Sequence, residues 1–161
     1  MRFDDLKSLE RWVAFDVEKT PVNPKNGHNA SPINPQTWGT YEEAKQALQM
    51  YPHNLTKLNP KKGDSKQVKL KGVGFMLGDG FFGVDFDDVV KTNDDGEPVI
   101  EPYVERFIRD FNSYTEYSPS GTGIHIICCG KPDITGCKET IAELYVKERY
   151  FTVTENPVGA V

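Results

Sequence analysis

The sequence predicts an α/β (α+β) fold, a mostly antiparallel sheet flanked by helices, and three observations carry that prediction. Two apolar runs, Gly72–Leu77 and Phe81–Phe86, bracket Gly78-Asp79-Gly80 as two strands bracket a tight turn. Two segments, 40–51 and 101–111, repeat apolar residues at the spacing of a helix with one buried face. Short apolar runs punctuated by Gly, Pro and Ser recur after residue 113. Hairpins interspersed with helices of this length build an open sheet with helices against it, rather than a barrel or a bundle. The 161 residues amount to one domain's worth of chain.

Taken in order, Leu6 opens a short helix or turn that enters an apolar strand at Trp12–Phe15. Residues 19–38 hold Pro21, Pro24, Gly27, Pro32 and Pro35 among asparagines and serines, which excludes regular structure, and loops of that length are usually functional or disordered. Thr40-Tyr-Glu-Glu43 is a capping box, with the Thr40 hydroxyl placed to accept the Glu43 amide. Ala44, Ala47, Leu48 and Tyr51 continue the helical stripe until Pro52 ends it. Residues 54–71 have no periodicity and read as a loop. In the second strand of the hairpin, period two puts Phe82, Val84 and Phe86 on one face and Gly83, Asp85 and Asp87 on the other. Val104, Phe107, Ile108 and Phe111 mark a helix over Glu101–Phe111 that should cover the sheet. A strand at Tyr114–Tyr117, a loop at Ser118–Gly123, a buried strand at Ile124–Cys129 and short strands near 141–145 and 150–154 complete the pattern.

Composition narrows the class further. At 37% hydrophobic and 27% charged residues the chain can bury a core. No run approaches the ~20 apolar residues of a membrane span, and the N-terminus lacks the charged-then-apolar order of a secretory signal. A soluble, cytoplasmic protein with no membrane partner is expected. Cys128, Cys129 and Cys137 are an odd, clustered set of thiols, which argues against a disulfide framework and for a reducing compartment. The net charge of −5 by itself disfavours nucleic acid, but it hides an asymmetry. Lys57, Lys61, Lys62, Lys66, Lys69 and Lys71 face only Asp64 within 54–71, a local balance of +5. From Asp79 to Glu101 the sign reverses, with Asp79, Asp85, Asp87, Asp88, Asp94, Asp95, Glu97 and Glu101 against Lys91. The lysines either solvate a long loop or track a phosphate backbone, and Asp94-Asp95-Gly96 is either a turn or part of a cation site.

Three constellations carry chemistry. Asp85 and Asp87, one residue apart on one strand face, have Cα atoms about 6–7 Å apart, within reach of one hard divalent cation or of two bridged ones. Left uncompensated they repel, and Mg²⁺ or Mn²⁺ would relieve that. His125 lies on an apolar strand after Ser118, Ser120, Gly121, Thr122 and Gly123, whose amides and hydroxyls suit a triphosphate; the alternative is a satisfied core histidine. Glu143 interrupts the apolar Ile141-Ala-Glu-Leu-Tyr145 and needs a partner or solvent. His28 and His53 sit in or beside proline-rich turns and read as surface residues.

Together these motifs resemble the archaeo-eukaryotic primase superfamily, and within it the primase-polymerase domains of phages and plasmids. Val84-Asp-Phe-Asp87 matches the first motif, Ser118-Pro-Ser-Gly-Thr-Gly-Ile-His125 the second, and Glu143-Leu-Tyr ahead of Arg149-Tyr-Phe-Thr-Val-Thr154 the third. Trp12, Lys19-Thr-Pro21 and Thr37-Trp-Gly-Thr-Tyr41 resemble the family's N-terminal part, so the likeness covers nearly the whole chain. It implies one catalytic core over 1–161, with proline-rich and basic loops in 1–71 and a palm-like, RNA-recognition-type part in 72–161. It further implies that Asp85, Asp87 and Glu143 hold two Mg²⁺ or Mn²⁺ ions in a DNA-templated nucleotidyltransferase, a primase and DNA polymerase of a phage, plasmid or other mobile element. His125, with Ser118, Ser120 and the Gly121-Thr122-Gly123 backbone, would meet the triphosphate; Lys19 and Arg149 would add phosphate contacts. Lys57, Lys61, Lys62, Lys66, Lys69 and Lys71 would follow the template, single-stranded or primed DNA. Many relatives fuse a helicase or a helical priming module, so the resemblance leaves three expectations open for this chain: a fragment of a longer protein, a stand-alone core, or a piece that works with a separate helicase.

Rival readings differ in what they require. A zinc site on Cys128, Cys129, Cys137 and His125 lacks CxxC spacing, and adjacent cysteines on a strand point to opposite faces. A replication-initiator nickase needs two histidines around one apolar residue, whereas His125 stands alone between Ile124 and Ile126. A non-catalytic single-strand binder would use aromatics such as Phe81, Tyr145 and Phe151, yet gains nothing from three carboxylates facing phosphate.

Overall fold

The computed structural model describes residues 1–50, 55–58, 65–132 and 142–159, with 55–58 and 65–68 described by backbone alone. In chain order these form α1 (Phe3–Lys7), β1 (Trp12–Asp16), β2 (Pro21–Val22), α2 (Tyr41–Met50), β3 (Leu55–Leu58), β4 (Ser65–Val68), β5 (Leu70–Met76), β6 (Phe81–Phe86), β7 (Val90–Thr92), β8 (Pro98–Ile100), α3 (Pro102–Phe111), β9 (Tyr114–Tyr117), β10 (Ile124–Cys129), β11 (Glu143–Tyr145) and β12 (Tyr150–Val153). All strand pairings are antiparallel, in sheets ordered β12-β5-β1-β2 and β11-β6-β10-β9 with separate ribbons β3-β4 and β7-β8. The mixed, largely antiparallel class expected from the sequence is therefore present, but as two sheets rather than one. The chain divides into two compact units: an N-terminal unit, Asp4–Met76 with Tyr150–Val153, and a C-terminal unit, Leu77–Arg149 with Met1–Phe3 and Thr154–Val161. Among the described residues no helix is long and apolar enough to cross a membrane.

In the N-terminal unit, β1 is buried along its whole length, which is why it reads as a continuous apolar run. Val13 packs with Ala30, Trp38 and Met76, while Ala14 packs with Val22, Ala47 and Leu70. The one charge in β1, Asp16, is fully buried and satisfied by a local turn: its Oδ1 accepts the amides of Glu18 and Thr20, both at 2.9 Å. The capping box forms as expected. Thr40 Oγ1 accepts the Glu43 amide at 3.1 Å, and Glu43 Oε2 accepts the Thr40 amide at 2.9 Å. The proline-rich segment is irregular except for β2 and a 3₁₀ turn at Pro35–Thr37, where Pro35 starts a turn capped by the Asn34 side chain. Pro52 and Tyr51 lie outside the described residues; α2 ends at Met50.

Two further expectations are corrected here. The basic stretch is not all loop, because β3 and β4 pair within it from Leu55 opposite Val68 to Leu58 opposite Ser65. A two-stranded ribbon is closed by its backbone, so hydropathy alternation need not announce it. The runs 72–77 and 81–86 do not form one hairpin. The turn between them is of the hairpin kind, with Gly78 and Phe81 exchanging N–H···O bonds of 2.8 and 3.0 Å and positive φ at Asp79 and Gly80. Beyond it β5 pairs with β1 and β12, and β6 with β10 and β11. Side-chain fit across strands decides this: a Cβ on Gly74 would lie 2.4 Å from the Tyr150 ring and 2.8 Å from the Phe151 carbonyl oxygen, so the glycine in β5 is shaped to receive β12.

In the C-terminal unit the alternation of β6 is as read. Phe82, Val84 and Phe86 pack with Ile124, Ile126 and Cys128 of β10 and with Val104 and Ile108 of α3, which covers that sheet face. Asp94-Asp95-Gly96 is the turn of the β7-β8 ribbon, built by Asn93 Oδ1 accepting the amides of Asp95 and Glu97 at 3.1 and 2.8 Å. Glu101, next along, is ion-paired with Lys91. Much of the acidic stretch is thus ribbon and turn.

Two stability measurements check this architecture. Thr40→Ala removes one half of the capping box and should lower the urea unfolding free energy by about 1 kcal/mol at unchanged m-value. Gly74→Ala forces a methyl into the β12 contact and should cost about 1–3 kcal/mol or more; a neutral substitution would refute the packing given for β5 and β12.

Candidate active site

The register of the C-terminal sheet draws distant residues into one row. Glu143 of β11 is the cross-strand partner of Asp85 in β6, Asp85 is that of His125 in β10, and His125 is that of Glu116 in β9. Since Val84, Phe86, Ile124 and Ile126 fill the face under α3, the row lies on the opposite face. His125 is buried, with Nε2 3.5 Å from Asp85 Oδ1 and Nδ1 3.7 Å from Glu116 Oε1. Asp85 is 19% exposed, and Glu143 is exposed and accepts a hydrogen bond from the Tyr145 hydroxyl. Asp87 follows the end of β6 on the same side of the alternation and is exposed. The row thus runs from a fully buried carboxylate at Glu116 to a solvent-facing one at Glu143.

Glu116 did not emerge from the sequence, although the signal was there. It is a lone acid in the apolar strand Tyr114–Tyr117, the same signal that singled out Glu143.

The loop Ser118–Gly123 follows β9 and leads into β10. Its hydroxyls form a chain: Ser118 Oγ to Ser120 Oγ at 2.9 Å, Ser120 Oγ to Thr122 Oγ1 at 3.0 Å, and Thr122 Oγ1 donating to Asp88 Oδ1 at 3.2 Å. Asp88 adjoins Asp87, so the loop is tied to the end of the acidic strand. The loop amides turn inward: Gly121 N–H donates to Ser118 O, Thr122 N–H to Ser120 Oγ and Gly123 N–H to Ser118 Oγ. What this loop offers a ligand is therefore hydroxyl groups on an exposed surface more than those three amides. Gly123 is there for close approach, because a Cβ at that position would come within 2.6 Å of the Phe86 carbonyl oxygen.

Arg149 is exposed and stacks over the Tyr145 ring, its Cζ 4.6 Å from the centroid, in a cation–π contact. Through Tyr145 it adjoins Glu143. The structure thus assembles Asp85, His125, Glu143 and Arg149, with Asp87 and the serine-rich loop alongside. Lys19, Lys69 and Lys71 are exposed residues of the other unit, Lys19 in the turn after β1 at φ 58°. Lys57 and Lys66 are register partners on β3 and β4, and Lys61 and Lys62 lie outside the described residues.

Three carboxylates with oxygen donors suit a hard divalent cation such as Mg²⁺ or Mn²⁺, and the direct opposition of Asp85 and Glu143 is the kind of like-charge pair a cation relieves. As the side chains stand, no three His, Cys, Asp or Glu groups among the described residues close into a cage. A zinc site through the cysteines has the wrong geometry. Cys128 is buried under α3, on the face opposite His125, and burial pushes its thiol up to about 11, so it stays protonated near neutrality. Cys129 is exposed and Cys137 lies outside the described residues.

No family model matches the sequence. A DNA primase-polymerase of Nitratiruptor phage NrS-1 is 33% identical over 168 residues, an alignment that takes in 96% of this chain and 21% of that protein. The chain spans about a fifth of the length of the curated relative it matches. One residue in three is shared along almost the entire chain, on a sheet that gathers the motif residues into one row, and this likeness supports a domain of the phage primase-polymerase type.

Proposed function

We propose that this chain is the nucleotidyl-transfer core of a DNA primase-polymerase of a phage or other mobile element, extending a strand on a DNA template from nucleoside triphosphates. The observation that carries the reading is the convergence of Asp85, His125 and Glu143, from three separated segments, on adjacent strands in a single register. A binding surface for polyanionic nucleic acid alone has no use for such a group of carboxylates.

Asp85, Asp87 and Glu143 would hold Mg²⁺ or Mn²⁺, which supplies activation of a primer 3′-hydroxyl and neutralisation of charge on the reacting phosphate. The remaining residues bind and orient. His125 lies between two carboxyl groups in its row and is assigned to the triphosphate, along with the exposed hydroxyls of Ser120 and Thr122. Arg149, held by stacking on Tyr145, presents a guanidinium beside the carboxylates, a group suited to phosphate oxygens. Lys57, Lys61, Lys62, Lys66, Lys69 and Lys71 are assigned to the template backbone, which would make template affinity fall steeply with salt.

The test is incorporation of labelled nucleotides on primed and unprimed single-stranded DNA with Mg²⁺ or Mn²⁺. Asp85→Asn and Asp87→Asn should each reduce incorporation by at least about a hundredfold, the scale on which loss of one charge-stabilising group acts, with melting temperatures close to the parent's. Activity surviving in either variant rejects the carboxylate assignment, and chelation of the metal should abolish synthesis by the parent. Replacing Lys61, Lys62 and Lys66 together by Gln should flatten the slope of log affinity against log salt by about 2 for a single strand; an unchanged slope would leave those lysines merely solvated.

A further inference from the structure

We infer that Glu116 is a positioning residue for His125, an inference that rests on the nucleotide-binding reading of His125 given above. Glu116 is fully buried, a costly place for a carboxylate unless donors surround it. Donors do: the Tyr114 hydroxyl at 2.7 Å, the Thr154 amide at 2.9 and 3.0 Å from the two oxygens, and the Glu155 amide at 3.1 Å. Consecutive amides converge on one carboxylate because the chain bends there, with Glu155 at φ 60°, a left-handed conformation uncommon for a non-glycine residue. The carboxylate is therefore fixed independently of the histidine, and its Oε1 faces His125 Nδ1 at 3.7 Å.

The consequence falls on the ring. With Glu116 against one nitrogen and Asp85 against the other, the imidazole is located between a buried, hydrogen-bonded carboxyl group and the carboxyl group of the candidate site. An acid whose role was only to pin the bend at 154–155 would need the three donors but no histidine beside it. At metal-ligating histidines the partner on the far ring nitrogen is commonly worth ten- to hundredfold in affinity or activity, and the same orienting geometry sets the scale expected here.

Glu116→Gln is the informative variant, since its carbonyl oxygen can still accept from Tyr114 and the amides while an amide group replaces the anion facing Nδ1. The imidazole nitrogen resonances of His125, one of three histidines in the chain, should shift in this variant without nucleotide present. Affinity for dATP should fall about tenfold in the parent background and less than twofold in a His125→Gln background, the non-additivity of residues acting through one another. Ring resonances that do not move, or an equal affinity loss in both backgrounds, would overturn the positioning role. If His125→Gln itself leaves dATP affinity unchanged while the resonances move, Glu116 positions the ring but the nucleotide assignment of His125 fails. Should Glu116→Gln not fold, Tyr114→Phe removes one donor from the same carboxylate. It should move the His125 resonances in the same direction by less, and unmoved resonances there would equally count against the role.

Discussion

Side chains alternate across a β-strand with period two, so a slip of β6 by one residue would carry Asp85 into the space under α3 and turn Phe82, Val84 and Phe86 outward. Everything in the C-terminal unit depends on that slip being prevented. The restraint is hydrophobic: three residues of β6, three of β10 and the Val104 and Ile108 stripe of α3 fill one face together. Burying each such side chain is worth about 1.5–3 kcal/mol, far more than the polar face could recover by choosing a register of its own. The positions of Asp85 and His125 are thereby fixed by packing on the side of the sheet they do not occupy, and strand pairing sets Glu143 and Glu116 against them.

The polar face is graded. At one end a buried carboxylate is fully surrounded by donors, at the other a carboxylate meets water, and the histidine and Asp85 lie between. Such a gradient lets one end serve as a rigid reference while the other remains accessible to ligands. The serine-rich loop continues the same plan, since its hydroxyl chain ends on Asp88 and ties its shape to the end of β6.

Local chemistry was legible in the sequence wherever it is local in the fold. The Thr40–Glu43 box, the alternation of β6, the apolar stripe of α3 and the motif residues themselves all follow from neighbours a few positions apart. Partnership between strands was not. The Gly78–Phe81 turn has hairpin geometry, yet its flanking strands belong to different sheets because β5 is shaped for β12, residues distant in sequence. The β3-β4 ribbon escaped notice because backbone pairing leaves no hydropathy trace. Glu116 carries in its own strand only the mark of a lone acid; what it does is set by His125 across the strand and by the 154–155 amides, partners that lie outside that strand.

The return of β12 to the N-terminal sheet threads the chain between its two units more than once. Neither unit is a contiguous stretch of polypeptide. During synthesis the first sheet waits for residues 150–153 before β5 gains its outer neighbour, and the second waits for Thr154 and Glu155 before the buried Glu116 carboxyl group receives their hydrogen bonds. Long-range closure of this kind makes folding slow and late, and it couples the completion of both units to the emergence of a single short segment. A protease cut or a truncation before Tyr150 would therefore damage both halves at once, stripping an edge strand from one and taking two hydrogen-bond donors from a buried carboxyl group in the other.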